Sequence, residues 1–275
     1  MSRVVASFHL ALFFALAPGS AHAQLVEAKA APIVYGHHHI NATDIEEHKK
    51  FWVDTLGGVA TKSGPTEVVK FQNVFIFFAK KAPTAGSSGS TADHLGLQVP
   101  NLRATVDKLR AAGYPIVTKE ELPANVKADV QDGIAFILPA RTTAVAFVMG
   151  PEGTKLELVE NKVLTVPIAL HHVHFATPQV AEMKAWYEKV FGAKVPGVAL
   201  LFAEGPMPVT GTRGRVVDHI GFEVRNLEAF TKQLDVMGIK STPYTKVPGR
   251  DLAISFVTDP WGTAIELSEG LSRLE

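Results

Sequence analysis

The chain has 275 residues, 47% of them hydrophobic, with 27 basic side chains, 27 acidic ones and no cysteine. That length suits one large domain or two ordinary ones. A formal charge of zero leaves no basic excess for nucleic acid or an anionic membrane. The lack of thiols excludes disulfides, cysteine nucleophiles and thiolate metal sites, so any transition metal has to be held by His and carboxylate.

Residues 1–23 read as a secretory signal peptide. Arg3 gives a positive start, an apolar run follows from Val4 to Ala17, and Ala21-His22-Ala23 makes a small-x-small cleavage site ahead of Gln24. The run is short for a bilayer span. The mature protein is therefore expected to be soluble, free of the membrane, and periplasmic or secreted.

Four later segments share one layout: HHHINATDIEEHKKFWVDTLG from His37, HLGLQVPNLRATVDKLRAAG from His94, HHVHFATPQVAEMKAWYEKVFG from His171 and HIGFEVRNLEAFTKQLDVMG from His219. In each, His opens a strand-like run, a capping residue follows (Asp44, Asn101, Thr177, Asn226), and a helix of about three turns ends at Gly57, Gly113, Gly192 or Gly238. Asp44 with Glu47 makes a capping-box pattern, and Pro178 sits where a first-turn proline belongs. The spacing from His to closing Gly is 20 (37→57), 19 (94→113), 20 (172→192) and 19 (219→238). The alternation marks a repeated pair of units and selects His172, rather than His171, as the counterpart of His37. The aromatics Phe51-Trp52 and Trp186-Tyr187 belong to core-facing helix stripes.

After each helix come β-like runs: 67–79, 133–140, 142–150, 197–203 and 252–259. Each unit thus reads as strand, helix and about three further strands. The fold class is α+β, two units to a half, with halves at 33–161 and 168–270 and a seam at 162–168. Both halves end alike, in FVMGPEGTKLELVE (147–160) and FVTDPWGTAIELSE (256–269). Alternation turns Glu157 and Glu266 to the face opposite their apolar neighbours, where an unpaired carboxylate is costly unless it meets a cation. The halves therefore offer His37, His94, Glu157 and His172, His219, Glu266. Two imidazoles and a carboxylate with open positions suit Fe(II), Mn(II), Zn(II) or Ni(II).

On these motifs the chain resembles the vicinal oxygen chelate superfamily, which includes glyoxalase I, bleomycin and fosfomycin resistance proteins and extradiol dioxygenases. The resemblance covers nearly the whole mature chain. It implies tandem βαβββ units forming two cup-shaped mixed-sheet domains, a metal at the centre of a cup, and ligand positions at His37, His94, Glu157, His172, His219 and Glu266. Glyoxalase I-like sites take a fourth ligand from the strand before the second His, but VFIFFA (74–79) and GVALLFA (197–203) carry no acid or His, and Glu204 lies just past the second run. Three ligands resemble the ring-cleaving dioxygenases, except that Phe147 and Phe256 stand where those enzymes have Tyr and the separate acid-base His is missing.

His39 and His174 lie two residues beyond His37 and His172, on the same strand face, and are expected to act as acid-base or substrate-orienting groups. His38 should face the other way, toward the helix layer, and it and His171 should be structural. Arg141, Arg213, Arg215 and Arg250 sit in or beside loops that could rim a cup and bind an anionic substrate group. The expected function is a metal-dependent, dioxygenase-like enzyme acting on a small molecule through adjacent oxygens. A glyoxalase-like lyase or isomerase and a non-catalytic drug-binding protein are the alternatives, and the chain is expected to be a monomer or homodimer.

Overall fold

The computed structural model describes residues 24–26 and 30–274. The expected signal peptide lies outside the described residues. The first unit comprises β1 (Ile33–Ala42), α1 (Ile45–Lys49, continued by a π-helical turn over Lys50–Thr55), β2 (Val59–Ser63), β3 (Thr66–Phe71) and β4 (Val74–Lys80). The second comprises β5 (Ala92–Val99), α2 (Leu102–Ala111), a short α3 (Thr118–Glu121), β6 (Ala128–Gln131), β7 (Ile134–Ile137), β8 (Ala144–Met149) and β9 (Lys155–Glu160). The third has β10 (Ala169–Ala176), α4 (Val180–Phe191) and β11 (Ala199–Ala203). The fourth has β12 (Val217–Val224), α5 (Leu227–Val236), β13 (Thr245–Lys246), β14 (Ala253–Thr258) and β15 (Ala264–Glu269).

The local signals act as their chemistry predicts. Asp44, Asn101 and Asn226 accept from the backbone amides of Glu46, Ala104 and Ala229 at 2.9, 3.0 and 3.0 Å. The four closing glycines all take positive φ, from 74° to 92°. Two details differ. Thr177 Oγ1 accepts from Gln179 N at 3.2 Å, and α4 starts only at Val180, so Pro178 precedes the helix rather than opening it. Glu47 pairs with Lys50 instead of closing a capping box. The third unit also has one strand after its helix, among the described residues, where about three were expected. The stretch that follows, 205–214, is rich in Gly and Pro, which supply few ladder donors and little side-chain packing.

The sheets do not follow the halves. An eight-stranded mixed sheet runs β13-β14-β15-β12-β1-β4-β3-β2, and a seven-stranded one runs β11-β10-β5-β9-β8-β7-β6. The first therefore joins the first and fourth units through the antiparallel pair β1–β12, and the second joins the second and third units through β5–β10. This gives two mixed-sheet domains, as expected, but each is built from both halves of the sequence. The helices and both sheets enclose one large apolar core. Phe51, Trp52 and Tyr187 are buried in it, and the rings of Phe191 and Phe222 stack at 4.1 Å.

Two candidate metal centres

Strand register explains how the site residues meet. Across β1 and β12, His39 stands opposite His219 and His37 opposite Gly221. Gly221 in turn stands opposite Glu266 on β15. Glu266, Gly221 and His37 thus form one row across three strands, with the two remaining histidines beside it. The second sheet repeats the pattern: His174 faces His94, His172 faces Gly96, and Gly96 faces Glu157.

The glycines keep the middle of each row open. A Cβ on Gly221 would lie 2.1 Å from His37 Cε1, and one on Gly96 would lie 2.1 Å from His172 Cε1. Only a residue without Cβ lets the imidazole lie across its partner strand.

Two four-residue groups result: His37, His39, His219 and Glu266, and His94, Glu157, His172 and His174. In each, one donor atom per residue lies within 4.8 Å of the others. His219 Nε2 is 3.1 Å from Glu266 Oε2, and His37 Nε2 is 3.6 Å from the same oxygen. In the other group His94 Nε2 and His172 Nε2 are both 3.1 Å from Glu157 Oε2 and 3.5 Å from each other. Ligand bonds of about 2.1 Å place neighbouring donors about 3–3.5 Å apart, so the donors are spaced as one cation requires.

The expected grouping within each half is therefore corrected. His37 joins His219 and Glu266, and His172 joins His94 and Glu157. The physical reason is the pairing of β1 with β12 and β5 with β10, which carries the opening strand of one half to the closing strands of the other. All six expected ligand residues are brought to a centre.

His39 and His174 stand inside these groups rather than beside them. The ring of His39 is 4.5 Å from that of His219, and the ring of His174 is 4.5 Å from that of His94. Burial, then the neighbouring imidazoles, pushes His39 down to about 3 and His174 down to about 4. Burial pushes the Glu266 carboxyl up, but His37 and His219 outweigh it and hold the group well below the usual carboxylate range. His172 and His94 do the same for Glu157.

Two aspartates escaped the sequence reading. Asp218 Oδ1 lies 2.9 Å from His219 Nδ1, and Asp93 Oδ2 lies 3.2 Å from His94 Nδ1. Such carboxylates fix the tautomer that leaves Nε2 free to ligate. Each with its centre's glutamate outweighs burial and holds its histidine above the usual value. Their signal was available, because Asp-His-x-Gly occurs twice, at 93–96 and 218–221. His171, expected to be structural, places Nδ1 2.8 Å from His172 Nδ1. His38 is buried, with its ring 5.8 Å from that of Tyr35.

Of the four arginines, Arg213 reaches a centre: Nη1 donates to Asp218 Oδ1 at 2.8 Å, and the guanidinium lies 5.2 Å over the Phe256 ring. Phe256 itself sits edge-on to His219 at 5.5 Å. Arg215 donates to Ser88 O, Arg250 to Ser63 Oγ and Arg141 to Asp129, none of which belongs to a donor group. Glu204 is in neither group.

Residues 169–267 match the family described as the Glyoxalase/Bleomycin resistance protein/Dioxygenase superfamily. That match covers the third and fourth units, from β10 to β15. A probable lactoylglutathione lyase from Vibrio cholerae is 25% identical over 138 residues, spanning 46% of this chain and 89% of that protein. Among solved structures, glyoxalase I from Zea mays superposes with a TM-score of 0.65 at 14% identity, over 88% of this chain and 94% of that one. A putative dioxygenase from Bacillus subtilis superposes at 0.62, also 14% identical, over 86% and 84%. These structural likenesses carry the fold, which this chain shares with both.

Proposed function

We propose that the protein is a metal-dependent lyase or isomerase of the glyoxalase type, acting on a small molecule through two neighbouring oxygens. The observation that carries this reading is the fourth donor in each group. A sequence count of three ligands favoured a dioxygenase-like site, which needs room for both a chelating substrate and O₂. With His39 or His174 added, a six-coordinate cation keeps only two positions, enough for one pair of oxygens. Phe147 and Phe256, standing where a hydrogen-bonding Tyr was expected, point the same way.

A divalent cation at such a site would supply Lewis-acid polarisation of the two oxygens. The surrounding residues do the rest. Glu266 and Glu157 stay ionised and so remain available as ligand or proton acceptor. Asp218 and Asp93 orient His219 and His94. Phe256 and Phe147 wall the centres against water. We assign His39 and His174 as ligands in place of the acid-base role expected of them: a group pushed to about 3 or 4 stays neutral at physiological pH, as a ligand must.

We also propose that the protein is exported, on the strength of residues 1–23. Among the described residues no helix is long and apolar enough to cross a membrane. Amino-terminal sequencing of protein recovered from its native compartment, with Gln24 as the first residue, tests this.

The functional test is metal analysis of anaerobically purified wild type, His37→Ala and His172→Ala, followed by two assays. One follows conversion of the methylglyoxal–thiol adduct, the other oxygen uptake with catechols. Metal loss in both variants with adduct conversion is expected. Unchanged metal content would remove the sites, and oxygen uptake without adduct conversion would restore the dioxygenase reading.

A further inference from the structure

The two centres are pseudo-equivalent, but the loops beside them differ in charge. Residues 82–94 and 207–219 align without a gap, and three contacts confirm the alignment in space. Gly86 and Gly211 pack against Gly153 and Gly262. Gly89 N and Gly214 N donate to Asp93 and Asp218 at 3.0 and 2.8 Å. Each aspartate holds the following histidine. On this alignment Arg213 stands where the other loop has Ser88.

The aspartates are charge-balanced from different places. Asp93 receives Lys155 Nζ at 2.9 Å, an ammonium only 7% exposed that also bonds Glu121 at 2.9 Å. That cation is used up inside the protein. Asp218 receives Arg213, whose side chain is 51% exposed and places its guanidinium over the Phe256 ring, 5.2 Å from the centroid. This guanidinium is presented to solvent at the wall of the His219 centre.

It also lines a groove. A hollow of about 660 Å³ shares Arg213 and Phe256 with that wall and extends along β14 to Trp186, Ile239 and Lys240. Its volume is in the range of small-molecule sites, about 300–1,000 Å³. Two cations and several apolar surfaces line it. A smaller hollow of about 340 Å³, at the corresponding turns of the other sheet, is lined instead by Asp44, Glu47 and Glu152.

We propose that the groove binds an anionic tail, a carboxylate or equivalent oxyanion on a partly apolar stem, of the molecule whose two oxygens chelate at His37, His39, His219 and Glu266. Arg213 is the specificity-determining residue. The centre at His94, Glu157, His172 and His174 lacks this anchor and does not select for charge. The inference rests on the metal-chelation reading above.

The test uses full-length cobalt(II)-loaded protein and two chelating probes, benzohydroxamate and its 4-carboxylate analogue. His94→Ala isolates the groove-bearing centre, and His219→Ala isolates the other. Binding is followed by the visible spectrum of cobalt and by calorimetry. At low salt the carboxylated probe should bind the first centre about tenfold more tightly than the neutral one, as one charge-assisted contact provides. The preference should shrink as salt rises, vanish in Arg213→Ser, persist in Arg213→Lys and be missing at the second centre. The ratio of the two affinities is compared within each variant, so a general weakening of the centre in Arg213→Ser does not enter the result. Equal affinity for the two probes, or a preference that survives Arg213→Ser, overturns the inference and leaves the metal reading standing. If neither probe perturbs the cobalt spectrum, the metal reading falls and takes this inference with it.

Discussion

Replacing Gly221 by alanine should empty the centre at His37 while leaving the other loaded. The new Cβ would lie 2.1, 2.3 and 2.7 Å from Cε1, Nδ1 and Nε2 of His37. Carbon contacts settle at about 3.5–4 Å, so the ring has to retreat by roughly 1.4 Å or β1 and β12 have to part. The ring has little room to retreat, because Phe77 packs against it edge-on at 5.1 Å and β1 is paired on both sides. Ligand distances tolerate about 0.2 Å, so a shift of this size takes His37 out of coordination. The expected loss in affinity is on the order of 100-fold, with a stability cost of about 1–3 kcal/mol for overpacking. Cobalt(II) titration of Gly221→Ala, Gly96→Ala and the double variant checks this. Each single variant should keep the equivalent bound at the other centre, and the double variant should keep none. Wild-type stoichiometry and affinity in Gly221→Ala would refute the claim that the glycine makes room for a ligand.

Asp218→Asn should weaken metal binding at the same centre by about 10–100-fold, because the amide no longer enforces the His219 tautomer; competition with a chromophoric chelator measures it, and an unchanged affinity counts against an orienting role. Removing bound metal with a chelator should lower Tm, since a cation that binds only the folded chain stabilises it, and the loss should be partial in Gly96→Ala or Gly221→Ala and absent in the double variant. A pH effect is expected at His48 and Glu152, whose Nε2 and Oε2 are 3.1 Å apart. Burial outweighs the carboxylate and holds His48 below the ordinary imidazole value of 6.5, while bonds from Thr43 and His48 outweigh burial and hold Glu152 below the ordinary carboxyl value of 4.5. In both cases the folded chain binds fewer protons than the unfolded one, so stability is full above about pH 6.5 and falls through the His48 window and then the Glu152 window as acid is added. Urea midpoints should decline less steeply below pH 6.5 in His48→Gln, and equal slopes would exclude His48 as a contributor.

Much of this architecture is legible in the sequence because it depends on short-range chemistry. Asn101 and Asn226 announce helix starts, the closing glycines announce helix ends, and Leu-Glu-Leu and Ile-Glu-Leu set each glutamate against its neighbours. What the chain order hides is partner choice. Nothing local in HHHINA says that β1 pairs with β12 rather than with β5, since both candidate strands begin Asp-His and continue with apolar alternation. The fourth donor was half visible: the two-residue period placed His39 on the face of His37, but its meeting with His219 follows from the cross-strand register. Asp218 and Gly221 could have been read from the doubled Asp-His-x-Gly, once it is clear that an imidazole from another strand must lie over the glycine.

The crossed assembly has a mechanical meaning. Every centre draws donors from both sides of the stretch at 162–168, so a cation held at either one ties the amino-terminal half to the carboxy-terminal half. In a chain without cysteine, two such coordination knots would take the part that disulfides play elsewhere, and loosening one half would slacken both.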